Sequence, residues 1–530
     1  MTVAADLLLE AADASGLLGD ASPEELLTAA RRARRDALDY ASSRLRLPRA
    51  AFYRALAERR GLPFVGEGEL APDPSLPDAV PPRLLERKQV LPLSVAEGAV
   101  RVATADPDDR AALEGVGRLF GLPVRPVVAA PDALRAALEA TLGRRTGGGF
   151  DAVGTLDALL REAYLRRASD VHLDPQAEGL RVRLRVDGRL QDHGAPLPPE
   201  DAAQLVSRVK VLAGLDIAER REPQDGGFRA RVEETDVDVR VATIPSLRGE
   251  RATLRLLGVE TRELTLERLG FPAADLERFR EVLARPHGLV LLTGPTGSGK
   301  TTTLYAALRA LGSGEINVMT VEDPVEFALD GVTQVQVGRA GKVTFAGALR
   351  SLLRHDPDVV MVGEVRDAET AAVALRAALT GHLVLSSLHT NDAPGAVTRL
   401  LDLGCERYLV ASTLRAVIAQ RLVRRLCRAC RVARPAPVET LALLGGEGHV
   451  EVFAPRGCPV CSGTGYRGRL ALVEALWFDA TLAEAVARGE DAPALVRLAR
   501  ERGYRTLRED GRAKVLAGET TLEEAARATA

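Results

Sequence analysis

Gly294-Pro295-Thr296-Gly297-Ser298-Gly299-Lys300-Thr301 is the stretch on which the reading of this chain turns. Two glycines bracket four residues, and Lys300 and the hydroxyl residue Thr301 follow, which is the pattern of a phosphate-binding P-loop. The flanks have the order such a loop requires. Gly288 to Thr293 is an apolar run that predicts a buried strand, and Thr302 to Leu311 carries apolar residues at helical spacing. Glycines between strand and helix let backbone N–H groups approach phosphate oxygens, with the positive end of the helix dipole behind them. In that geometry Gly294 to Thr302 cradles a nucleotide, Lys300 reaches its β and γ phosphates, and Thr301 holds Mg2+.

Three later segments are spaced to join the same cleft. Val318-Met319-Thr320-Val321-Glu322-Asp323-Pro324-Val325-Glu326 is an apolar strand ending in three carboxylates, which can orient an attacking water or hold Mg2+ through water. Pro357 to Asp367 is a second apolar strand that ends in an acid. Gly363 stands where a Walker B element often has Asp, so the metal role passes to Glu364. Thr380 to Asp392 sets two of the seven histidines, His382 and His389, at either end of an apolar run. This predicts γ-phosphate sensing or water positioning at the phosphate edge of the sheet. A charged turn and structural histidines are the alternatives for these segments.

The second chemical signal is Cys427-Arg428-Ala429-Cys430 with Cys458-Pro459-Val460-Cys461. Four thiolates in two CxxC knuckles suit tetrahedral Zn2+, and with all four positions filled the metal is structural. A redox dithiol is the alternative. The fifth cysteine, Cys405, reads as a buried thiol. Arg421, Arg424, Arg425 and Arg428 read as a solvated helix face leading into the knuckle, with a polyanion patch as the alternative.

At 530 residues the chain should hold about three or four domains, and 46% hydrophobic content is ample for ordinary cores. A net charge of −2 gives no overall pull toward nucleic acid or anionic lipid. The opening residues have no basic n-region and no stretch approaches eighteen apolar residues, so a cytosolic protein is expected. Residues 1–143 divide into a helical part and a small α/β part, with strands expected at Gln89 to Val95 and Ala99 to Ala103 and a helix at Asp109 to Phe120. Residues 144–154, with three consecutive glycines, read as a linker. Residues 155–265 form a second domain, where apolar residues alternate with Arg at 180–186 and at 237–241, predicting strands with one buried and one basic face. From 266 to 530, strands and helices alternate in the manner of a parallel sheet covered on both faces, with a zinc subdomain at 424–466 and helices at the end.

With these motifs in order, the chain resembles the secretion ATPase superfamily, specifically the assembly ATPases of type II secretion and type IV pilus systems, over nearly its whole length. Gly294 to Thr301 matches the family's Walker A, Thr320 to Glu326 its Asp box, Leu353 to Asp367 its atypical Walker B and Thr380 to Asp392 its His box. Ala168 to Pro175, Asp216 to Gly226 and Val239 to Leu257 match the second domain. The resemblance implies an α/β fold: a RecA-like P-loop core, a preceding PAS-like α+β domain, an N-terminal adaptor and a tetracysteine zinc subdomain. It implies a cytoplasmic homohexamer that hydrolyses ATP with Mg2+ to do mechanical work on a pilus or pseudopilus. Its implied partners are an inner-membrane platform protein and a membrane-anchored adaptor, which would hold it at the inner membrane.

Residue roles come by the same route. Arg240 and Arg255 fall on arginines that reach the phosphates as the second domain closes, and Arg350 and Arg354 on a second pair from the core. Glu322 leads for water activation, with Glu326 able to trade places, and Glu364 for Mg2+. The four cysteines match assembly members and are generally missing from retraction motors. Phe52 to Phe64 matches the adaptor, which in some members binds cyclic di-GMP, but the Arg-Leu-Gly opening and terminal Gln of that ligand's motif are not found. No nucleic-acid partner is expected. A retraction or DNA-uptake motor, and a nucleotide-sensing scaffold with negligible hydrolysis, are the other readings.

Overall fold

The computed structural model describes residues 3–19, 21–66, 69–73, 75–146, 150–232, 235–258, 265–312, 315–337, 344–436 and 450–530. The chain divides into two compact units, one of residues 1–259 with 457–465, the other of 260–456 with 466–530.

The first unit opens with four helices, α1 (Ala5–Ala14), α2 (Pro23–Arg32), α3 (Ala37–Leu45) and α4 (Arg49–Arg60). Ser22 and Glu25 close α2 with a reciprocal capping box, and Asp36 caps α3. Short helices α5 (Ser75–Asp78) and α6 (Pro82–Lys88) lead to β1 (Val90–Ala96), β2 (Ala99–Thr104), α7 (Arg110–Phe120), β3 (Val124–Val128) and α8 (Pro131–Thr146). The expected strands and helix of this part are all present. The strands make a three-stranded sheet in which β2 pairs antiparallel with β1 and parallel with β3. The expected linker is shorter than 144–154: α8 runs to Thr146, and α9 (Ala152–Leu165) starts at once behind its Asp151 cap. Gly147 to Gly149 lie outside the described residues.

After α9 come β4 (Ala168–Gln176), β5 (Gly179–Val186), β6 (Arg189–Asp192), α10 (Pro199–Leu212), β7 (Gln224–Val232), β8 (Thr235–Ser246) and β9 (Gly249–Leu257). The strands pair antiparallel in the order β6-β5-β4-β9-β8-β7. One face packs Val171, Leu173, Val182, Val239, Val241 and Leu254 against α9 and α10. The other face carries the arginines, with two acids among them. Asp170 and Asp174 are buried within it and each pairs with two arginines, Asp170 with Arg255 at 2.9 Å and Arg185 at 3.5 Å, Asp174 with Arg183 and Arg251 at 2.7 Å each, so the pairing offsets the positive charge only in part.

The second unit is built on a seven-stranded sheet. Its elements are α11 (Ala273–Leu283), β10 (Gly288–Thr293), α12 (Lys300–Leu311), β11 (Val318–Glu322), β12 (Val332–Gln336), α13 (Phe345–Leu352), β13 (Val359–Val362), α14 (Ala368–Leu379), β14 (Leu383–Leu388), α15 (Ala393–Asp402), α16 (Arg407–Thr413) and β15 (Leu414–Leu426). The hairpin β16 (Val432–Pro435) and β17 (Glu451–Ala454) follows, then β18 (Tyr466–Trp477), α17 (Ala480–Arg488), α18 (Ala492–Arg500), α19 (Leu507–Leu516) and α20 (Leu522–Thr529). The order is β12-β11-β13-β14-β10-β15-β18, parallel throughout except for β18. In β10, Leu289 and Leu291 face one core and Val290 and Leu292 the other. Burial on both faces explains why the strand reads as unbroken apolar sequence.

The arginine run is also corrected here. Arg421, Arg424 and Arg425 are half-buried on the 13-residue strand β15, not on a helix. Antiparallel pairing with β18, which continues through Arg421 and Arg424 to Leu426 after the pairing with β10 has ended at Ala419, overrides the helical spacing.

Candidate functional site

Five adjacent parallel strands, β11-β13-β14-β10-β15, end at the same edge of the sheet, and the motif residues sit at those ends. β10 runs into the P-loop, where Gly294 and Gly299 have φ of 146° and 91°. A Cβ on Gly294 would lie 2.6 Å from both the Gln420 carbonyl oxygen and Ser298 Oγ, and one on Gly299 2.9 Å from Gln420 Nε2. Only glycine fits either position. Ser298 Oγ is buried with no hydrogen-bond partner, as expected of a cradle built for an anion.

Lys300 opens α12, and its Nζ donates to the carbonyls of Gly294 (2.7 Å) and Pro295 (3.2 Å). Burial pulls its pKa below the usual lysine range, Glu364 partly restores it, and Arg421 adds to the depression. These three charges therefore share one neighbourhood. Thr301, in the first turn of α12, is exposed, and Thr302 is half-buried.

Glu364 follows β13 and is bracketed by Arg366, which pairs with Oε1, and His389, whose Nε2 lies 3.3 Å from Oε2. Thr390, next to His389, is tied to the end of β10: its amide donates to Thr293 Oγ1 at 2.8 Å, and the two hydroxyls are 2.7 Å apart. The phosphate strand and the His box thus meet at their ends.

His382 departs from expectation. It precedes β14, with Nδ1 3.0 Å from the Ala377 carbonyl, and its own carbonyl accepts from Gly288 N at the start of β10. Six strand residues separate it from His389, about 20 Å at strand rise. The two histidines bracket the strand, so only His389 reaches the phosphate edge of its own chain.

Glu322 is 3% exposed, and both carboxylate oxygens are occupied. Oε1 accepts from Thr320 Oγ1 (2.6 Å) and Gln334 Nε2 (3.0 Å), and Oε2 accepts from the Tyr305 hydroxyl of α12. The same hydroxyl accepts from Glu326 N at 3.2 Å. Burial first, then the bond and charge of Glu322, push the Tyr305 pKa upward. Such a carboxylate anchors the strand end to the P-loop helix and leaves little access for water. Glu326, four residues on, is half-buried.

The arginines occupy different places. Arg240 and Arg255 face each other across the β8–β9 ladder of the first unit, where Asp170 holds Arg255. Arg350 on α13 pairs with Glu369 at 2.6 Å, and Arg354 donates to the Arg350 carbonyl and Ser351 Oγ.

The sequence reading missed Gln420, whose Oε1 accepts from Thr303 Oγ1 at 3.0 Å beside the P-loop glycines, and it missed Tyr305 and Gln334. A polar residue directly after the apolar run Ala416 to Ala419, on a strand that continues to Leu422 and Val423, was the available signal for Gln420.

The four knuckle cysteines come together. Their Sγ atoms all lie within 4.8 Å of one another, and those of Cys458 and Cys461 are 3.8 Å apart. Thiolates about 2.3 Å from a tetrahedral Zn2+ stand roughly 3.8 Å from each other, so the donor set fits that ion. Backbone amides of Cys458 and Gly465 donate to Cys461 Sγ at 3.2 and 3.1 Å. The hairpin β16–β17 accounts for the long interval between the two pairs. Cys405 is half-buried, not buried, and burial raises its pKa.

Residues 152–527 match the family described as type II/IV secretion system protein, and residues 60–148 match the MshEN domain. Type II secretion system protein E of Xanthomonas campestris pv. campestris is 40% identical over 514 residues, covering 89% of each chain. The type IV pilus assembly ATPase PilB of Thermus thermophilus is 40% identical over 506 residues, 89% of this chain and 57% of that one. The X-ray structure of the Legionella pneumophila ATPase DotB shares the fold, with a TM-score of 0.54 at 24% identity over 71% of this chain and 96% of that one. No helix among the described residues is long and apolar enough to cross a membrane.

Proposed function

The chain belongs to the family of type II/IV secretion system proteins, and from that premise we propose that it hydrolyses ATP to drive assembly of a pilus or pseudopilus, as a hexamer docked on membrane partners. One observation carries the reading. Lys300, Glu364 and His389 converge at three neighbouring strand ends beside a glycine cradle that excludes any other residue.

In the proposed cycle, phosphate oxygens replace the Gly294 and Pro295 carbonyls as acceptors of the Lys300 ammonium, and the P-loop amides and the α12 dipole hold the nucleotide in line. Thr301 and Glu364 would hold Mg2+ carried by the nucleotide, which would supply neutralisation of phosphate charge. His389 holds Glu364 in place and senses the γ-phosphate edge. With Glu322 committed to its buried bonds, water orientation falls to Glu326. Arg240 and Arg255, and Arg350 and Arg354, neutralise phosphoryl charge as the domains and neighbouring chains close. The work per cycle is set by the difference in nucleotide affinity between open and closed states. Cys427, Cys430, Cys458 and Cys461 would hold Zn2+, which would fix the fold of the knuckle.

The test is the ATPase rate per chain against protein concentration, with oligomer size read in parallel, for wild type and Glu364→Gln. The rate should rise as hexamers form and drop by roughly 10²–10⁴-fold in the variant. Well-formed hexamers that bind ATP but turn over negligibly, with no change on substitution, would favour a nucleotide-sensing scaffold. The engagement of both Glu364 oxygens by Arg366 and His389 is the observation that keeps that second reading in play.

A further inference from the structure

β18 contains one acid, Glu474, within the apolar run Leu470 to Trp477. It is 4% exposed, and a carboxylate at that depth needs donors for both oxygens. Two helix starts supply them. Oε1 accepts from the amide of Ala393, the first residue of α15, at 2.9 Å, and Oε2 accepts from that of Leu507, the first residue of α19, at 3.1 Å. First-turn amides have no partner within their own helix and carry partial positive charge, so a single carboxylate satisfies both ends. Tyr504 also bonds to it.

The two helices lead in opposite directions. Upstream of α15 stand His389, beside Glu364, Thr390, bonded to Thr293, and Asn391, whose carbonyl accepts from Arg421 Nη2 at 3.1 Å. Downstream, α19 is fixed to β18 by Asp510, which accepts from Val473 N at 2.8 Å, and by Lys514, which donates to the Ala471 carbonyl at 2.6 Å. α20 is fixed to β15 by Glu524, which accepts from Arg424 N at 3.2 Å. A cavity of about 280 Å³, lined by Asn391, Arg421, Glu474, Thr506 and Arg508 among others, adjoins both helix starts and leaves them room to shift.

We propose that Glu474 is a positioning residue for the nucleotide site, which ties the His389–Asn391 segment to the C-terminal helices so that a change at the γ-phosphate edge is transmitted to α19. The inference rests on the nucleotide-site reading above and extends it to a residue outside the recognised motifs. Because the acid spans two helix N-termini, movement of either one alters the hydrogen bond made by the other.

Hydrogen exchange of the full chain, with and without a non-hydrolysable ATP analogue, tests this. In wild type the analogue should slow exchange of the P-loop amides 294–301 and also change exchange in the first turn of α19. In Glu474→Gln the P-loop response should persist, the α19 response should vanish, and kcat should fall about tenfold with KM for ATP nearly unchanged. Glu474→Asp, too short to reach both helix starts, should give the same split if the Gln variant does not fold. A protected P-loop with an unresponsive α19 in wild type, or an α19 response that survives in the folded variants, would overturn the inference alone. No protection of the P-loop in wild type would overturn the nucleotide-site reading and this inference with it.

Discussion

Within the Asp box, two glutamates four residues apart differ in what surrounds them. Glu322 is closed in by Thr320, Gln334 and Tyr305, whereas Glu326 is half-buried with its amide on the Tyr305 hydroxyl. Tyr305→Phe removes a donor from Glu322 and an acceptor from Glu326 N inside the protein, at a cost of about 1–3 kcal/mol. A lowered urea midpoint with nucleotide binding retained is the expected result. Glu322→Gln should likewise act first on stability, and Glu326→Gln first on kcat. Thermal midpoints and kcat measured for both variants would check this, and the reverse pattern would return water activation to Glu322. From the sequence Glu322 led, with Glu326 able to trade places, because the distinction that reverses the order depends on a tyrosine from α12 and a glutamine from β12.

The docking of α20 on β15 has a pH signature. Burial works against ionised Glu524, but hydrogen bonds and charge from Arg424, with Arg527, outweigh it and lower its pKa from 4.5 to about 2. A carboxylate whose folded pKa is depressed adds stability above its unfolded pKa and loses it as pH falls toward the folded value. The contribution should therefore be complete above about pH 5 and fade toward pH 2, on the order of 3 kcal/mol in all. Unfolding free energy followed across that window should show this acid limb in wild type and a shallower one in Glu524→Gln. Equal slopes would mean that the pair contributes nothing. The arginine run containing Arg424 shows how an element can mislead: its spacing suits a helix face, but the ladder with β18 makes it a strand, and the half-buried guanidinium of Arg424 lies 3.8 Å over the Tyr466 ring.

On the scale of the whole molecule, the proposed zinc knuckle and the nucleotide site should separate. Chelation should raise hydrogen exchange around Cys427 to Cys461 and leave nucleotide binding intact, because the donor set organises its own loops while the P-loop rests on the parallel sheet. Global unfolding by chelator would refute that. Sequence by itself determined the P-loop, the two CxxC pairs and the alternation of strands and helices, since each is a contiguous pattern whose chemistry or periodicity is local. Tertiary structure alone decided which side chains share the site. The strand order β11-β13-β14-β10-β15 does not follow chain order, so it sets the strand ends that carry Glu364, Lys300 and His389 side by side, and the fold gives Gln420 and Glu474 partners 117 and 81 residues away. Buried polar groups must find hydrogen-bond partners wherever the fold supplies them, and partners so distant in the chain leave no local pattern to read.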